Sequence, residues 1–315
     1  MTRTRIDWLD LPAAVRVWVE ESLGAPVVEA VSQPGGFSPG TADRVVTGDG
    51  RRAFVKAVSS AQNDRSPGIH RREVAVTSRL PDDPHLPRLL HAYDDGDWVA
   101  LVLEDVEGRH PVTPWRSDEL EATLAAFAAL AERGTPCPVP DLPTGPQEVG
   151  EAFGGFARLR AEPRDDVERG DPWIAAHLDL LCDLAARTTA ASAGDTLAHT
   201  DVRSDNLLVR PDGSVAIVDW PWACRAAPWV DTFLLLADVN RHGGHDVDAL
   251  ASEHLEGRLG LDPDDLTAAV AGLAGYFVEV ARQPPPPGLP TVRAAQAAQA
   301  GPALAWLHRR LGTGR

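Results

Sequence analysis

His199-Thr-Asp-Val-Arg-Ser-Asp-Asn206 is the most informative stretch of this sequence, and Asp219 follows its last residue after thirteen positions. The stretch supplies a carboxylate at Asp201 and a carboxamide at Asn206, and Asp219 adds a second carboxylate. Two carboxylates and a carboxamide in this order are typical of a phosphoryl-transfer site. There Asp201 would accept the proton of an attacking hydroxyl, while Asn206 and Asp219 would bind Mg²⁺ against nucleotide phosphates.

The residues between Asn206 and Asp219 support this interpretation. Leu207–Arg210 and Ser214–Val218 are short apolar runs, and the turn Pro211-Asp-Gly213 joins them. The pattern predicts a β-hairpin, which folds back on itself and returns Asp219 close to Asn206. The alternative is a hairpin without catalytic function, flanked by ordinary surface aspartates.

Lysine is almost absent from the chain. Of the 30 lysine and arginine residues, the single lysine is Lys56, in the apolar run Ala53-Phe-Val-Lys-Ala-Val58, which predicts a strand. Arginine cannot replace lysine where a compact ammonium must sit between phosphate oxygens and a carboxylate. Glu73 is the expected partner, because it lies in the helix-like run His70–Leu80 that Pro81 ends. The alternative is a lysine that remains by chance on an exposed strand face.

A glycine-rich segment lies between the strand-like runs Val27–Val31 and Arg44–Thr47. The segment Gln33-Pro-Gly-Gly-Phe-Ser-Pro-Gly-Thr41 would let backbone N–H groups approach phosphate oxygens closely. It lacks the spacing of a Walker A loop, and most Pro/Gly clusters between strands are simple turns. Its position, one strand before that of Lys56, favours a phosphate-binding loop.

The chain thus presents, in order, a glycine-rich hairpin, a strand lysine, a helix glutamate, a His-x-Asp-x₄-Asn motif and a following aspartate. This order resembles the aminoglycoside phosphotransferase family, which has a protein-kinase-like fold, over roughly residues 25–240. The resemblance implies an α+β, two-lobed fold, with a small antiparallel-sheet lobe and a larger, mainly helical lobe.

The same resemblance implies roles for the motif residues. Asp201 would be the catalytic base, and Asn206 and Asp219 would be the Mg²⁺ ligands. Lys56 would bind the α- and β-phosphates of the nucleotide, and Glu73 would orient it. Since purine choice depends on backbone positions rather than on side chains, both ATP and GTP are candidate phosphate donors.

Two further segments take their roles from the resemblance. The glycine-rich segment would cover the triphosphate, and the backbone of the hinge after the last strand of the small lobe would face the purine edge. The residues concerned are Gly35, Gly36, Ser38 and Gly40 in the loop and Glu104 and Val106 in the hinge. Asp231 resembles the helix aspartate that braces the catalytic loop in this family.

The sequence departs from the family pattern at two places beside these motifs. Thr200 stands where relatives usually have glycine, and it is expected to stiffen the catalytic loop. Trp220-Pro221 follows the second aspartate directly, so the mobile activation segment of protein kinases is not expected.

Composition limits the classes of partner. The net charge of −16, from 30 basic and 46 acidic side chains, argues against nucleic acid and is compatible with a cationic acceptor. Three widely spaced cysteines predict reduced thiols, and no apolar run is long enough to cross a membrane. We therefore expect a cytoplasmic protein without a membrane partner; the sequence does not determine an oligomeric state.

Helix and loop signals predict the domain organisation. We expect an N-terminal helix in residues 1–24, a small nucleotide-binding lobe in 25–107, and a large helical lobe in 108–315 that carries the catalytic loop and the acceptor site. Helices are predicted at 117–133, from Asp171-Pro172 onward, and at 229–240, 246–258, 264–282 and 290–311. The Pro- and Gly-rich stretch Thr135–Gly150 predicts a loop.

The expected activity is transfer of the γ-phosphoryl group of ATP or GTP to a hydroxyl of a small molecule. The family resemblance makes an antibiotic of the aminoglycoside or nucleoside type the leading acceptor, with resistance as the outcome. One alternative is a metabolic kinase acting on an amino sugar, a choline-like alcohol or homoserine. A further alternative is a non-catalytic nucleotide-binding module.

Overall fold

The computed structural model describes residues 5–36 and 38–313. The strands are β1 (Val27–Ser32), β2 (Thr41–Thr47), β3 (Arg52–Ser59), β4 (Leu89–Asp94), β5 (Trp98–Glu104), β6 (Thr196–Ala198), β7 (Leu207–Val209), β8 (Val215–Ile217) and β9 (Cys224–Ala226). The α-helices are α1 (Ala13–Leu23), α2 (Ser66–Thr77), α3 (Ser117–Arg133), α4 (Gly145–Phe153), α5 (Gly155–Arg160), α6 (Arg164–Gly170), α7 (Pro172–Ala191), α8 (Val230–His242), α9 (Val247–Ala251), α10 (Pro263–Ala281) and α11 (Val292–Arg310). A π-helical segment, Ser252–Arg258, continues α9.

The chain divides into two compact units. The first contains Met1–Pro111, Asp205–Trp222 and Pro286–Pro290, and the second contains Val112–Ser204, Ala223–Pro285 and Thr291–Arg315. The domain boundaries expected from the sequence, after residues 24 and 107, stay a prediction.

The first unit is built on a five-stranded antiparallel sheet with strand order β1-β2-β3-β5-β4. Alternation along the strands sends side chains to opposite faces, and a helix covers each face. Val15 and Val19 of α1 pack against Val55 of β3, whereas Val74 of α2 packs on the face that carries Leu101 of β5. Removing this apolar surface from water stabilises the unit on both sides of the sheet.

The predicted hairpin after Asn206 is confirmed. Strands β7 and β8 pair antiparallel, with Leu207 opposite Ile217, and Gly213 in the turn has a φ of 84°. The hairpin is fixed to the first unit by His85, whose carbonyl oxygen accepts the amide of Ile217 at 2.8 Å. A short, otherwise isolated hairpin is marginally stable, so this anchor helps to position the residues at its two ends.

The second unit is mainly helical, and together with the sheet of the first unit it confirms the predicted α+β fold of small sheet lobe and larger helical lobe. Helix α10 runs through its core, where Phe156 is fully buried against it. Gly275 permits this approach, because a Cβ there would lie 2.7 Å from the Phe156 ring. Small residues at such contacts let helices pack closely.

Most helix predictions agree with the structure, and one loop prediction is wrong in part. Asp171 caps α7 by accepting the amides of Trp173 and Ile174, as its position before a proline predicted. Thr135–Gly150, however, is not loop throughout, because α4 begins at Gly145. Thr144 and Gln147 form a capping box there, a local helix signal that outweighs the surrounding prolines and glycines.

In the two described ranges, no helix combines the length and the apolar character needed to cross a membrane.

Candidate functional site

Lys56 lies in the middle of β3, opposite Ala42 of β2 and Leu101 of β5. Its Nζ donates to Oε1 of Glu73 at 2.7 Å and to Oδ1 of Asp219 at 2.8 Å. The Lys56 and Glu73 side chains are 14% and 3% exposed, and that of Asp219 is 35% exposed. The structure therefore brings together three residues that the sequence singled out across more than 160 positions, within the first unit.

Electrostatics keep the Lys56 ammonium charged. Burial alone would lower the pKa of the Lys56 ammonium, but the attraction of Asp219 and then of Glu73 outweighs it and raises the pKa above its ordinary value. For Glu73, burial raises the pKa of the carboxyl group and Lys56 opposes that effect. The ammonium thus carries its charge throughout the neutral range, as a phosphate-binding group requires.

Glu73 is positioned by α2, which is fixed at its first turn. The side-chain oxygen of Asn63 accepts the amides of Arg65 and Ser66, both at 3.0 Å, and so satisfies donors that the helix leaves free. His70, one turn before Glu73, is buried, and burial followed by repulsion from Lys56 lowers its pKa to about 4. His70 is therefore neutral near pH 7 and adds no competing charge.

Asn206 and Asp219 lie at the two ends of the hairpin. The carbonyl oxygen of Asn206 accepts the amide of Val218 at 2.9 Å, so the hairpin closes directly before Asp219. Asp219 has a φ of 71°, a left-handed conformation that is uncommon outside glycine and is best tolerated by Asn and Asp. Trp220, nearly fully buried, donates its indole N–H to the carbonyl oxygen of Ile217 at 2.8 Å and holds this bend.

The donor atoms of Asn206 and Asp219 fit Mg²⁺. Mg²⁺ prefers oxygen ligands and is usually held by one or two protein groups, with water and substrate phosphates completing its shell. No cluster of three His, Cys, Asp or Glu side chains suited to a metal occurs in residues 5–36 and 38–313, so a closed, all-protein cage is not present in that part of the chain. An open pair of one carboxylate and one carboxamide matches the Mg²⁺ pattern.

The glycine-rich loop contains two kinds of glycine. Gly35 and Gly36 have φ values of 90° and 66°, which only glycine adopts without strain. Gly40 is required for a steric reason, since a Cβ there would lie 2.0 Å from the carbonyl oxygen of Ala57 in β3. Ser38 lies between them, with a buried hydroxyl that makes no hydrogen bond to a described residue, whereas Phe37 lies outside the described residues.

The hinge segment after β5 is held from the sheet side. Asp105 forms ion pairs with Arg44 at 3.0 Å and with Arg52 at 2.8 Å, and its side chain is almost fully buried. Arg44 also donates to the carbonyl oxygen of Val106, and the amide of Glu104 donates to the carbonyl oxygen of Arg88. In the predicted hinge, these contacts engage the amide of Glu104 and the carbonyl oxygen of Val106.

Hydrogen bonds from backbone amides to the Asp231 carboxylate fix residues of the predicted catalytic loop, which belongs to the second unit. Asp231 at the start of α8 accepts the amide of His199 at 2.7 Å and the amide of Thr200 at 3.0 Å, which is the bracing contact expected from the sequence. Burial raises the pKa of Asp231, and His199 and the two amides oppose that shift. The His199 ring nitrogen Nδ1 lies 3.2 Å from the amide of Asp201, so the ring also holds the loop.

Asp201 has a neighbour that the sequence reasoning missed. Nη1 of Arg203 donates to both carboxylate oxygens of Asp201, at 2.7 Å and 2.9 Å. An adjacent guanidinium favours the ionised form of a carboxylate. The sequence shows an arginine two positions after the predicted base, but the contact forms only because the loop turns and brings the two side chains together.

The sequence profile of a family of phosphotransferases, described as the phosphotransferase enzyme family (APH), matches residues 35–273. This chain belongs to that family. The matched region includes Lys56, Glu73, Asp201, Asn206 and Asp219. No curated protein matches the sequence significantly.

Solved structures of other proteins share the fold of this phosphotransferase family member. A thermostable mutant of aminoglycoside phosphotransferase APH(4)-Ia, in complex with ADP and hygromycin B, has a TM-score of 0.59 at 14% identity, covering 96% of this chain and 99% of that chain. The aminoglycoside phosphotransferase of Alicyclobacillus acidocaldarius has a TM-score of 0.56 at 17% identity, with 91% and 92% covered. Macrolide 2'-phosphotransferase MphH of Brachybacterium faecium has a TM-score of 0.53 at 15% identity, with 93% and 96% covered.

The predicted site residues of this family member fall in both units. Lys56, Glu73 and Asp219 are in direct contact in the first unit, where Asn206 closes the same hairpin. Asp201 belongs to the second unit, five positions before Asn206 in the chain.

Proposed function

We propose that this chain transfers the γ-phosphoryl group of ATP or GTP to a hydroxyl of a small molecule, with an antibiotic as the leading acceptor. The observation that carries the proposal is the Lys56 ammonium, held within 2.8 Å of both Glu73 and Asp219. A buried lysine fixed between two carboxylates, in a chain that belongs to a phosphotransferase family, supports a nucleotide-phosphate site.

The donor-side residues would have separate tasks. Lys56 would neutralise charge on the α- and β-phosphates, and Glu73 keeps its ammonium in place. The amides of the loop from Gly35 to Gly40 would approach the triphosphate, and Ser38 offers a buried hydroxyl that makes no other hydrogen bond to a described residue. In the hinge, the carbonyl group of Glu104 and the amide of Val106 would face the purine edge, since their other backbone groups are engaged.

Asn206 and Asp219 would hold Mg²⁺, which when bound supplies positive charge at the phosphates. Asp201 would accept a hydrogen bond from the acceptor hydroxyl, orient it and receive its proton late in the transfer. Arg203 favours the ionised carboxylate of Asp201, which a hydrogen-bond acceptor requires. Positioning and electrostatic stabilisation supply most of the acceleration in reactions of this class.

An antibiotic acceptor is supported by the relatives, which are named as aminoglycoside and macrolide phosphotransferases. The net charge of −16 would favour the approach of a cationic aminoglycoside. A nucleoside-type antibiotic is a second candidate, and in either case phosphorylation of one hydroxyl would make a host resistant.

The test is phosphate transfer from labelled ATP and GTP, with Mg²⁺, to a panel of hydroxylated antibiotics, amino sugars and small alcohols. In Asp201→Ala we expect turnover to fall by about 10²–10⁴-fold, while nucleotide affinity changes by a few fold at most. Asp179→Ala is the matched control, because Asp179 lies on the same unit with a 94% exposed side chain, and it should keep full activity.

The outcomes separate the alternatives. Transfer to an antibiotic class supports the proposal and identifies the acceptor, whereas transfer to metabolites alone assigns the chain to a metabolic kinase. Nucleotide binding that Mg²⁺ does not strengthen, without transfer to any acceptor, indicates a non-catalytic nucleotide-binding module. Full activity of Asp201→Ala would contradict the mechanism.

A further inference from the structure

The segment before α1 brings Arg5 to the glycine-rich loop. Its Nε donates to the carbonyl oxygen of Ser38 at 3.4 Å, and its Nη1 donates to the carbonyl oxygen of Gln33. Gln33 follows β1 and Ser38 precedes β2, so one guanidinium connects the two arms of the loop. The sequence reasoning gave this arginine no role.

The Arg5 guanidinium lies against Gly36 of the glycine-rich loop. A Cβ on Gly36 would lie 2.6 Å from Nη2 of Arg5, which is closer than real Cβ contacts. Gly36 also has a φ of 66°, a left-handed conformation that favours glycine. The guanidinium therefore reaches the backbone of the loop at Gly36 as well as at Gln33 and Ser38.

Arg5 lies among the charges of the donor side. Burial lowers its pKa, and the carboxylates of Asp219, Asp43 and Asp205 oppose this effect in that order. Asp219 is the same carboxylate that accepts the Lys56 ammonium at 2.8 Å. Asp219 therefore interacts with two cations, the Lys56 ammonium through a hydrogen bond and the permanently charged Arg5 guanidinium through its field.

Guanidinium chemistry fits a phosphate at this position. The two loop carbonyl groups engage Nε and Nη1, and the remaining N–H groups of the planar fork can donate to phosphate oxygens. Arginine recognises phosphate with two parallel hydrogen bonds, whereas lysine acts as a point charge. Lys56 and Arg5 would therefore complement each other on one triphosphate.

We propose that Arg5 binds a phosphate of the donor nucleotide beside the glycine-rich loop. The same guanidinium keeps the two arms of that loop together. The inference rests on the proposed nucleotide-dependent function and adds to it a phosphate contact outside the family-matched region, residues 35–273.

Arg51 provides a matched control within the same unit. Its Nη1 donates to the carbonyl oxygen of Leu23, beside Gly24, which has a φ of 78° and whose Cβ would lie 2.9 Å from the guanidinium. Like Arg5, Arg51 thus donates to a backbone carbonyl group and lies against a glycine with positive φ, although it connects no two arms of a loop. Its carboxylate neighbour, however, is the 42% exposed Asp49 rather than a residue of the donor side.

The experiment measures nucleotide affinity by titration calorimetry on the full chain, with Mg²⁺ and without acceptor, so that no turnover is needed. Arg5→Gln should weaken ATP binding by about 10–100-fold and leave adenosine within about 2-fold, because a charge-assisted contact to phosphate is lost. Arg51→Gln should change neither affinity. Arg5→Lys, which keeps the charge but not the fork, should give an intermediate loss for ATP.

Equal weakening of ATP and adenosine by Arg5→Gln would overturn the inference, because Arg5 would then only hold the loop. Unchanged or tighter ATP binding would also overturn it, the latter because Arg5 would then be blocking the phosphates. Thermal unfolding shows whether each variant is folded. If Arg5→Gln does not fold, the ATP and adenosine affinities of Arg5→Lys are compared with those of the wild type in the same way. A wild-type chain that binds ATP through Arg5 yet phosphorylates no acceptor would contradict the proposed function and leave this inference standing.

Discussion

The cluster of Lys56, Glu73 and Asp219, on the proposed donor side, and the predicted catalytic loop are held in different ways. In the first unit, the side chains of Lys56, Glu73 and Asp219 hold one another through opposite charges at 2.7 Å and 2.8 Å. In the second unit, the carboxylate of Asp231 holds two backbone amides, those of His199 and Thr200. Opposite charges on side chains thus position the groups of one region directly, whereas in the other region a carboxylate acts by holding the backbone.

This difference separates two kinds of sensitivity. A cluster that depends on charge fails when one partner is removed, because the remaining buried charge loses its compensation. A loop that depends on a backbone brace keeps its charges when the brace is weakened, but its catalytic group is then less well positioned. Substitutions in the two regions should therefore give different patterns of binding, turnover and stability.

The largest effect is expected from Lys56→Met, which removes the ammonium and leaves Glu73, with a 3% exposed side chain, as a buried carboxylate. Breaking such a pair should lower the free energy of unfolding by about 3–5 kcal/mol. Turnover should fall by about 10²–10³-fold or more, because the phosphates lose an electrostatic partner. Chemical denaturation and phosphate-transfer kinetics measure the two effects.

Adding Glu73→Gln to Lys56→Met tests whether charge compensation is the cause. The double variant should regain most of the lost stability, since the uncompensated carboxylate is gone, while turnover stays low. A double variant as unstable as Lys56→Met alone would show that packing, rather than opposite charge, holds the cluster.

An intermediate effect is expected from Asp231→Asn. An asparagine presents one acceptor oxygen, so one of the two amide contacts to His199 and Thr200 should be lost at a cost of about 1–3 kcal/mol. Turnover should fall by about 10-fold or more, with ATP affinity close to that of the wild type. Calorimetric ATP titration and steady-state kinetics measure the two quantities. Weaker ATP binding at full turnover is the opposite pattern, and it would contradict the proposed difference between the two regions.

The smallest effect concerns Thr200, which has a φ of 61° where a β-branched residue is strained. Thr200→Gly should remove about 1–2 kcal/mol of backbone strain from the folded state. Glycine also gives the unfolded chain more conformational freedom, which offsets part of this, so the free energy of unfolding should rise by roughly 0.5–1 kcal/mol. Thr200→Ala is the control, since it also removes the hydroxyl but keeps the Cβ. If the two variants unfold at the same temperature, the left-handed backbone carries no strain that matters for stability.

Residues whose roles follow from local pattern or from rarity could be predicted from the sequence. The hairpin between Asn206 and Asp219 follows from turn residues and short apolar runs, and the partnership of Lys56 with Glu73 follows from there being a single lysine. The helical part follows from capping and helix-ending residues, whereas the small antiparallel-sheet lobe was implied by the family resemblance.

Contacts that depend on the path of an irregular segment could not be predicted. The contact of Arg203 with Asp201 requires the turn of the predicted catalytic loop. The contact of Arg5 with Gln33 joins an irregular segment before α1 to the end of β1, 28 positions later in the sequence. With 29 arginines in the chain, residue type alone did not distinguish these two. Helix α4 was missed for a related reason, because its capping box at Thr144 lies within a segment of mostly turn-forming residues.

The single lysine has a practical consequence for covalent labelling. Acylating reagents modify unprotonated amines, and Lys56 offers the one side-chain amine of the sequence. Its contacts with Glu73 and Asp219 raise the pKa of the ammonium and suppress the nucleophilic form, and its side chain is only 14% exposed. Acylation at this residue therefore reports how often the ammonium leaves both carboxylates, and the protein carries a built-in chemical reporter at the centre of its donor side.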